Sequence, residues 1–95
     1  MAFIHIVTST GFSTEDIQRV EDKIGPRENV DGLLVEAFGQ DGDHTHHVTV
    51  WESRAHKDRY EAQQLLPVFA SLGMAADVAA RSEFTMCDAD ELYIR

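Results

Sequence analysis

The residues best suited to chemistry lie in two neighbouring segments. Leu33-Leu34-Val35-Glu36-Ala37-Phe38 and Thr45-His46-His47-Val48-Thr49-Val50-Trp51 are both rich in β-branched and aromatic types, which favour strands. Asp41-Gly42 between them is a strong hairpin signal. A loop of two or four residues would place Glu36 opposite His47, with 37 opposite 46, 35 opposite 48 and 34 opposite 49. Alternation then puts Leu33, Val35, Ala37, Val48 and Val50 on one face, with His46 at its edge. The other face carries Leu34, Glu36, Phe38, His47, Thr49 and Trp51. The first set is almost pure hydrocarbon. The second sets a carboxylate beside an imidazole among aromatic rings, which is what a small-molecule pocket needs in order to move a proton. A three-residue loop or a bulge would break this register.

Each of these residues also has an ordinary structural use. A large indole such as Trp51 is more often core than ligand platform, and a Glu36–His47 pair can serve structure alone. Tyr60, on the following helix, suits a pocket hydroxyl or a snorkelling surface position equally. His5, His44, His46 and His47 raise the question of metal. Adjacent His46 and His47 point to opposite faces of a strand and cannot share an ion, and no Cys partner completes a zinc set, so no metal site is expected. Lone Cys87 reads as a small buried hydrophobe, and Asp88-Ala89-Asp90-Glu91 as solvated surface.

The elements that must position these groups follow from periodicity and punctuation. A strand is expected over 2–8. A helix capped by Ser13 or Thr14 has Ile17, Val20 and Ile24 on one stripe and stops at Gly25-Pro26. After the hairpin, Ser53 caps a second helix over Arg54 to Leu66. Pro67 should kink it or open a short new helix ending at Gly73. Residues 75–80 fit a helical turn or a loop. A fourth strand is expected over 83–87, with a short extension at 92–94. The order β-α-β-β-α-β is that of a ferredoxin-like α+β fold, an antiparallel sheet with two helices on one face. Two helices cover one face only, yet strand 1 carries Phe3 and Val7 on one side and Ile4 and Ile6 on the other. A second chain must cover the bare face, so a homodimer through sheet-to-sheet packing is expected.

Composition narrows the partners. The chain has 95 residues, enough for a single domain over 1–95. Seventeen acidic residues against eight Lys plus Arg give a formal charge of −9, which repels nucleic acid and anionic membrane. No apolar run is long enough to span a bilayer and the start lacks a basic leader region, so a cytoplasmic protein is expected.

Two stretches carry a resemblance: His46-His47-Val48-Thr49-Val50-Trp51-Glu52-Ser53, and Leu65-Leu66-Pro67-Val68-Phe69-Ala70-Ser71-Leu72-Gly73 closing the next helix. Together they resemble the antibiotic-biosynthesis-monooxygenase family, a branch of the dimeric α/β-barrel superfamily. The resemblance implies a homodimer whose sheets form a barrel, with a pocket in each chain between sheet and helices. It implies a cofactor-independent monooxygenase-like enzyme acting on a small aromatic or polyketide-type phenol. In the quinone-forming members the pocket holds a strand Trp, a polar side chain four residues before it and a helix Tyr, here Trp51, His47 and Tyr60. The family's polar residue is an Asn, and its Tyr position is taken by Lys57, one turn before Tyr60. The haem-degrading members need a His late in the second helix, and residues 65–73 contain none. The site expected is therefore His47 and Glu36 as catalytic groups, with Trp51, Tyr60, Thr49 and Phe38 binding substrate and no cofactor. The alternative is a non-catalytic homodimeric module of the same fold that binds a small ligand or accompanies another enzyme.

Overall fold

In the computed structural model, which describes residues 1–95, eight regular elements follow one another. They are β1 (Phe3–Thr10), α1 (Thr14–Ile24), β2 (Leu33–Asp41), β3 (His44–Trp51), α2 (Arg54–Tyr60), α3 (Leu66–Ser71), α4 (Ala75–Arg81) and β4 (Ser82–Asp88). The strands form one antiparallel sheet in the order β2-β3-β1-β4. This is the expected ferredoxin-like α+β arrangement, with the second helical region divided into α2, α3 and α4.

Local chemistry sets the helix ends. The Ser13 hydroxyl accepts the Asp16 backbone N–H at 3.3 Å, and the Asp16 carboxylate accepts the Ser13 N–H at 2.9 Å, a reciprocal cap on α1. Gly25, at φ 95°, then ends the helix by donating its N–H to the Glu21 carbonyl. Pro67 stands in the first turn of the short helix α3, so it opens a new helix as expected, one that ends at Ser71, two residues before Gly73. Between α2 and α3, residues Glu61–Leu65 form a π-helical turn in which the Leu66 N–H reaches the Glu61 carbonyl five residues back. The wide turn makes room for a ring that lacks an N–H and would crowd a tighter helix. Residues 75–81 settle as helix α4. No strand forms at 92–94. The Ala89 N–H pairs with the Ala2 carbonyl as the last such bond after β4, and Tyr93 and Ile94 lie exposed.

The hairpin differs from expectation in register, and in faces only at its Leu33 end. Asp41 pairs with His44, so the turn is Gly42-Asp43, with Gly42 at φ 60°. Glu36 therefore sits opposite Thr49, and His47 opposite Phe38. The slip is two residues, and an even slip preserves which side chains share a face. A bulge between Leu33 and Val35 makes a second change: Leu33 pairs with Trp51 and joins its face, and Leu34 is the extra residue.

The face bearing Glu36, His47 and Trp51 is the one the helices cover. Its packed part is small. Phe3, Val30 and Trp51 form the buried cluster, with Ile24, Leu33 and Tyr60 against it, and Trp51 is only 1% exposed. Trp51→Ala is expected to cost about 3–5 kcal/mol, as emptying a large aromatic site does, and to lower the urea midpoint accordingly. A loss under about 1 kcal/mol would show that the indole is not the centre of the core.

The opposite face carries Ile4 and Ile6 from β1, Val35 and Ala37 from β2, and Val48 and Val50 from β3, with no helix over it. Cys87, paired with Ile4, belongs to this face and is exposed rather than a buried hydrophobe, because no element of the chain lies above it. No helix is long and apolar enough to cross a membrane.

Candidate functional site

Helix α1, the short 3₁₀ turn Arg27–Asn29, and strands β2 and β3 bring four charged or titratable groups together. Glu21 comes from α1, Arg27 from the turn, Glu36 from β2 and His47 from β3. The Arg27 Nε donates to Glu36 Oε1, and its Nη2 lies 3.4 Å from Glu21 Oε2. His47 Nε2 lies 3.0 Å from Glu36 Oε2 and 3.8 Å from Glu21 Oε1. Thus Glu36 and His47 meet as the sequence suggests, although they are diagonal across the strands rather than opposite.

The two carboxylates respond differently to this crowding. Burial pushes Glu36 up, but the hydrogen bonds from His47 and Arg27 outweigh it and bring its carboxyl down to about 2. Glu21 is raised, first by burial and then by the neighbouring Glu36 charge. A depressed carboxyl stabilises the fold above its unfolded pKa and loses that contribution as pH falls through its folded value. Glu36 should therefore hold the fold above pH 4.5 and release it as pH falls towards about 2. Glu36→Gln is expected to lose the most stability relative to wild type at neutral pH, with the gap narrowing across that window. A gap that does not change between pH 6 and 2.5 in urea titrations would rule out an ionised Glu36 as the anchor. Glu21 carries the opposite sign, so Glu21→Gln should be tolerated at neutral pH.

An ionised Glu36 fixes the tautomer of its partner. A carboxylate only accepts, so His47 Nε2 must carry the hydrogen. Nδ1 is then the ring's other nitrogen, without a hydrogen-bond partner in the chain. Phe38 props the ring edge-on, with centroids 5.8 Å apart and planes at 76°. The donor atoms of Glu21, Glu36 and His47 lie within 4.8 Å of one another, close enough to suggest a cation site. The Arg27 guanidinium already bridges both carboxylates, however, and supplies the positive charge a metal would bring.

His47 and Glu21 face a cavity of about 450 Å³ between the sheet and the helices, a size that suits a small organic ligand. Val7, Ile17, Val20, Leu65, Phe69 and Phe84 make most of its wall hydrocarbon. At another part of the wall stand His5, Lys57 and Glu61. The Lys57 Nζ lies 3.0 Å from Glu61 and 2.9 Å from Asp58, and these partners keep its ammonium charged despite burial.

The expected site residues fall into three groups. His47 lines the cavity. Glu36 and Phe38 stand behind it and fix its ring. Thr49, Trp51 and Tyr60 belong to the packed layer rather than to the cavity wall. The Trp51 Nε1 donates to Thr49 Oγ1 at 2.9 Å, and the Thr49 hydroxyl donates to the His5 carbonyl at 3.4 Å. The Tyr60 ring lies 5.1 Å from that of Trp51, and burial, followed by the Glu21 and Glu36 charges, raises its phenol so that it stays protonated.

Sequence alone does not single out Glu21, Arg27 or Glu61, marks Lys57 only as the residue at the family's Tyr position, and offers His5 only as a metal ligand. One signal was available. Glu21 stands four residues after Ile17, on the apolar stripe of α1, where a carboxylate is out of place unless it is paired.

No family model matches the sequence, and no curated protein does either. Solved structures do match in fold. The protein Rv0793 from Mycobacterium tuberculosis superposes with a TM-score of 0.73 at 13% identity, over 97% of this chain and 98% of its own. A variant of SnoaB from Streptomyces nogalater, a cofactor-independent oxygenase, gives 0.68 at 14%, over 96% and 95%. The monooxygenase of ActVA-Orf6 from Streptomyces coelicolor, solved with nanaomycin D, gives 0.63 at 16%, over 99% and 92%. The resemblance seen at residues 46–53 and 65–73 thus holds at the level of the whole fold, and this chain has the fold of the antibiotic-biosynthesis-monooxygenase proteins.

Proposed function

We propose that the protein is a cofactor-independent oxygenase acting on a small aromatic or polyketide-type phenol bound between sheet and helices. One observation carries this reading: His47, held through Nε2 by an ionised Glu36, lines a cavity whose wall is otherwise mostly hydrocarbon. The similarity in fold to a cofactor-independent oxygenase supports the same class of chemistry. In this reading Nδ1 of His47 accepts the proton of a phenol or of its keto tautomer, and Glu36 holds the imidazole in place. The deprotonated ring is itself the electron donor to oxygen. For an anthrone-type substrate a ring CH₂ and O₂ become a ring C=O and water. One oxygen atom enters the product, and the other leaves with the two hydrogens. The chain's part is to bind, orient, exclude water and take the proton.

Oxygen-electrode measurements with anthrone and hydroquinone substrates test the reading directly. Protein-dependent oxygen uptake with quinone formation is expected. Ligand binding without any uptake would favour the non-catalytic binding module.

The proposal includes a homodimer joined through the open sheet face, because that face is apolar and no element within residues 1–95 covers it.

A further inference from the structure

We propose that His5 is a second hydrogen-bonding pole of the cavity, so that its ligand is an aromatic ring system with two oxygen substituents, one meeting His47 and the other His5. The inference rests on the reading of this cavity as the binding site and deepens it from a phenol to a diol or quinol spanning the ring.

His5 is a largely buried residue whose ring nitrogens make no hydrogen bond within the chain. The residue is 8% exposed and lines the cavity. Its Nδ1 lies 3.7 Å from Glu61 Oε1, beyond hydrogen-bond reach, and that carboxylate is already taken by Lys57 at 3.0 Å. Neither ring nitrogen has a hydrogen-bond partner in the chain, and neither is sealed into the packing. The imidazole nitrogens of a largely buried residue normally find partners. Here only the cavity is left to supply one.

The rest of the surroundings prepare the ring for a neutral oxygen rather than a charged one. Burial, the largest influence, lowers the His5 pKa, and the Lys57 charge adds to this against Glu61 and Asp58. The Phe84 ring stacks over it at 6.0 Å with planes 13° apart, which fixes its orientation. A neutral, oriented imidazole can donate at one nitrogen and accept at the other, matching a hydroxyl or a carbonyl.

The sheet sets the spacing of the two poles. His5 pairs with Thr49, and His47 is two residues from Thr49 on the same face, so the histidines are diagonal neighbours on adjacent strands. Such diagonals lie about 7–8 Å apart. Backbones that far apart set the two imidazoles side by side on the same wall, where each can meet its own oxygen of one ring system. The cavity between them is apolar and of ligand size, as a flat ring system requires.

The test is anaerobic calorimetry with 1,5-dihydroxynaphthalene and 1-naphthol on wild type, His5→Phe and His5→Asn. Wild type is expected to prefer the diol by about tenfold, one net hydrogen bond. In His5→Phe the ratio should fall to near one, and His5→Asn should keep part of it. In wild type the ¹⁵N signals of the His5 ring should move with the diol and stay with the monophenol, which needs no variant to fold. A preference that survives in His5→Phe, or a loss of both affinities at constant ratio, would overturn the second pole. Binding of both compounds without preference would overturn it too, while sparing the oxygenase reading. If neither compound binds wild type, both fall together.

Discussion

His47→Ala is expected to lower oxygen uptake with an anthrone or hydroquinone substrate by at least about 100-fold, the usual range for losing a positioned general base. The expectation comes from the way the ring is held. Glu36, with its carboxyl down at about 2, stays ionised and can only accept, which assigns the hydrogen to Nε2 and leaves Nδ1 as the proton acceptor. Alanine removes that acceptor without touching the buried Phe3, Val30 and Trp51 cluster, so the variant should fold. It does leave Glu36 with Arg27 alone, and a modest loss of stability should accompany the loss of turnover. His47→Asn distinguishes the two uses of the residue. An amide can orient an oxygen but cannot take a proton at neutral pH. If His47 is the base, His47→Asn should be as inactive as His47→Ala while binding ligand better. Retention of a substantial fraction of turnover in His47→Asn would assign the residue to orientation. Full turnover in His47→Ala would remove it from the mechanism. The same measurement on Glu36→Gln should give an intermediate loss, because the ring keeps its place in the sheet but loses the partner that fixes its tautomer.

Much of this architecture is legible in the sequence because it rests on parity. The alternation in Thr45-His46-His47-Val48-Thr49-Val50-Trp51 sorts polar and aromatic groups from hydrocarbon whatever the exact turn, so the two faces survive a register that moved by two residues. The site itself was harder to read. Which strand residue meets which depends on whether Asp41 belongs to the strand or to the turn, and on a bulge at Leu34 that no local residue type announces. The charged cluster depends on contacts between α1, the Arg27 turn and the sheet, all of them non-local. Trp51 shows the limit most plainly. Its indole shares a face with His47, but the face is divided along the strand: its Trp51 end is filled by Phe3, Leu33 and Tyr60, and its His47 end opens on the cavity. Face membership follows from spacing, whereas the boundary between packing and cavity is set by where the helices lie.

Val48→Asp is expected to convert the protein from a dimer of about twice 10.7 kDa to a monomer at micromolar concentration, read by light scattering or native mass spectrometry. Val48 lies on the second strand from one edge of the sheet, paired with Ile6 on one side and Ala37 on the other, on the face no helix covers. Ile4, Val35 and Val50 continue the same apolar surface. Within one chain the other side of the sheet buries only a small hydrophobic cluster, and a domain of this length has little stability to spare. Packing two such faces together would bury the remaining hydrocarbon and make folding depend on concentration. A carboxylate in the middle of that contact would be stripped of water with no partner, which is more costly than any hydrocarbon it displaces. Val35→Asp, on the edge strand, should weaken the dimer less. Cys87 gives a second readout, since it lies on the same face opposite Ile4. Its thiol should react slowly with a bulky disulfide reagent in the wild-type dimer and quickly in Val48→Asp. A wild-type protein that runs as a stable monomer with a fast-reacting Cys87 would show that this apolar face stands open in solution, and the homodimer would have to be given up.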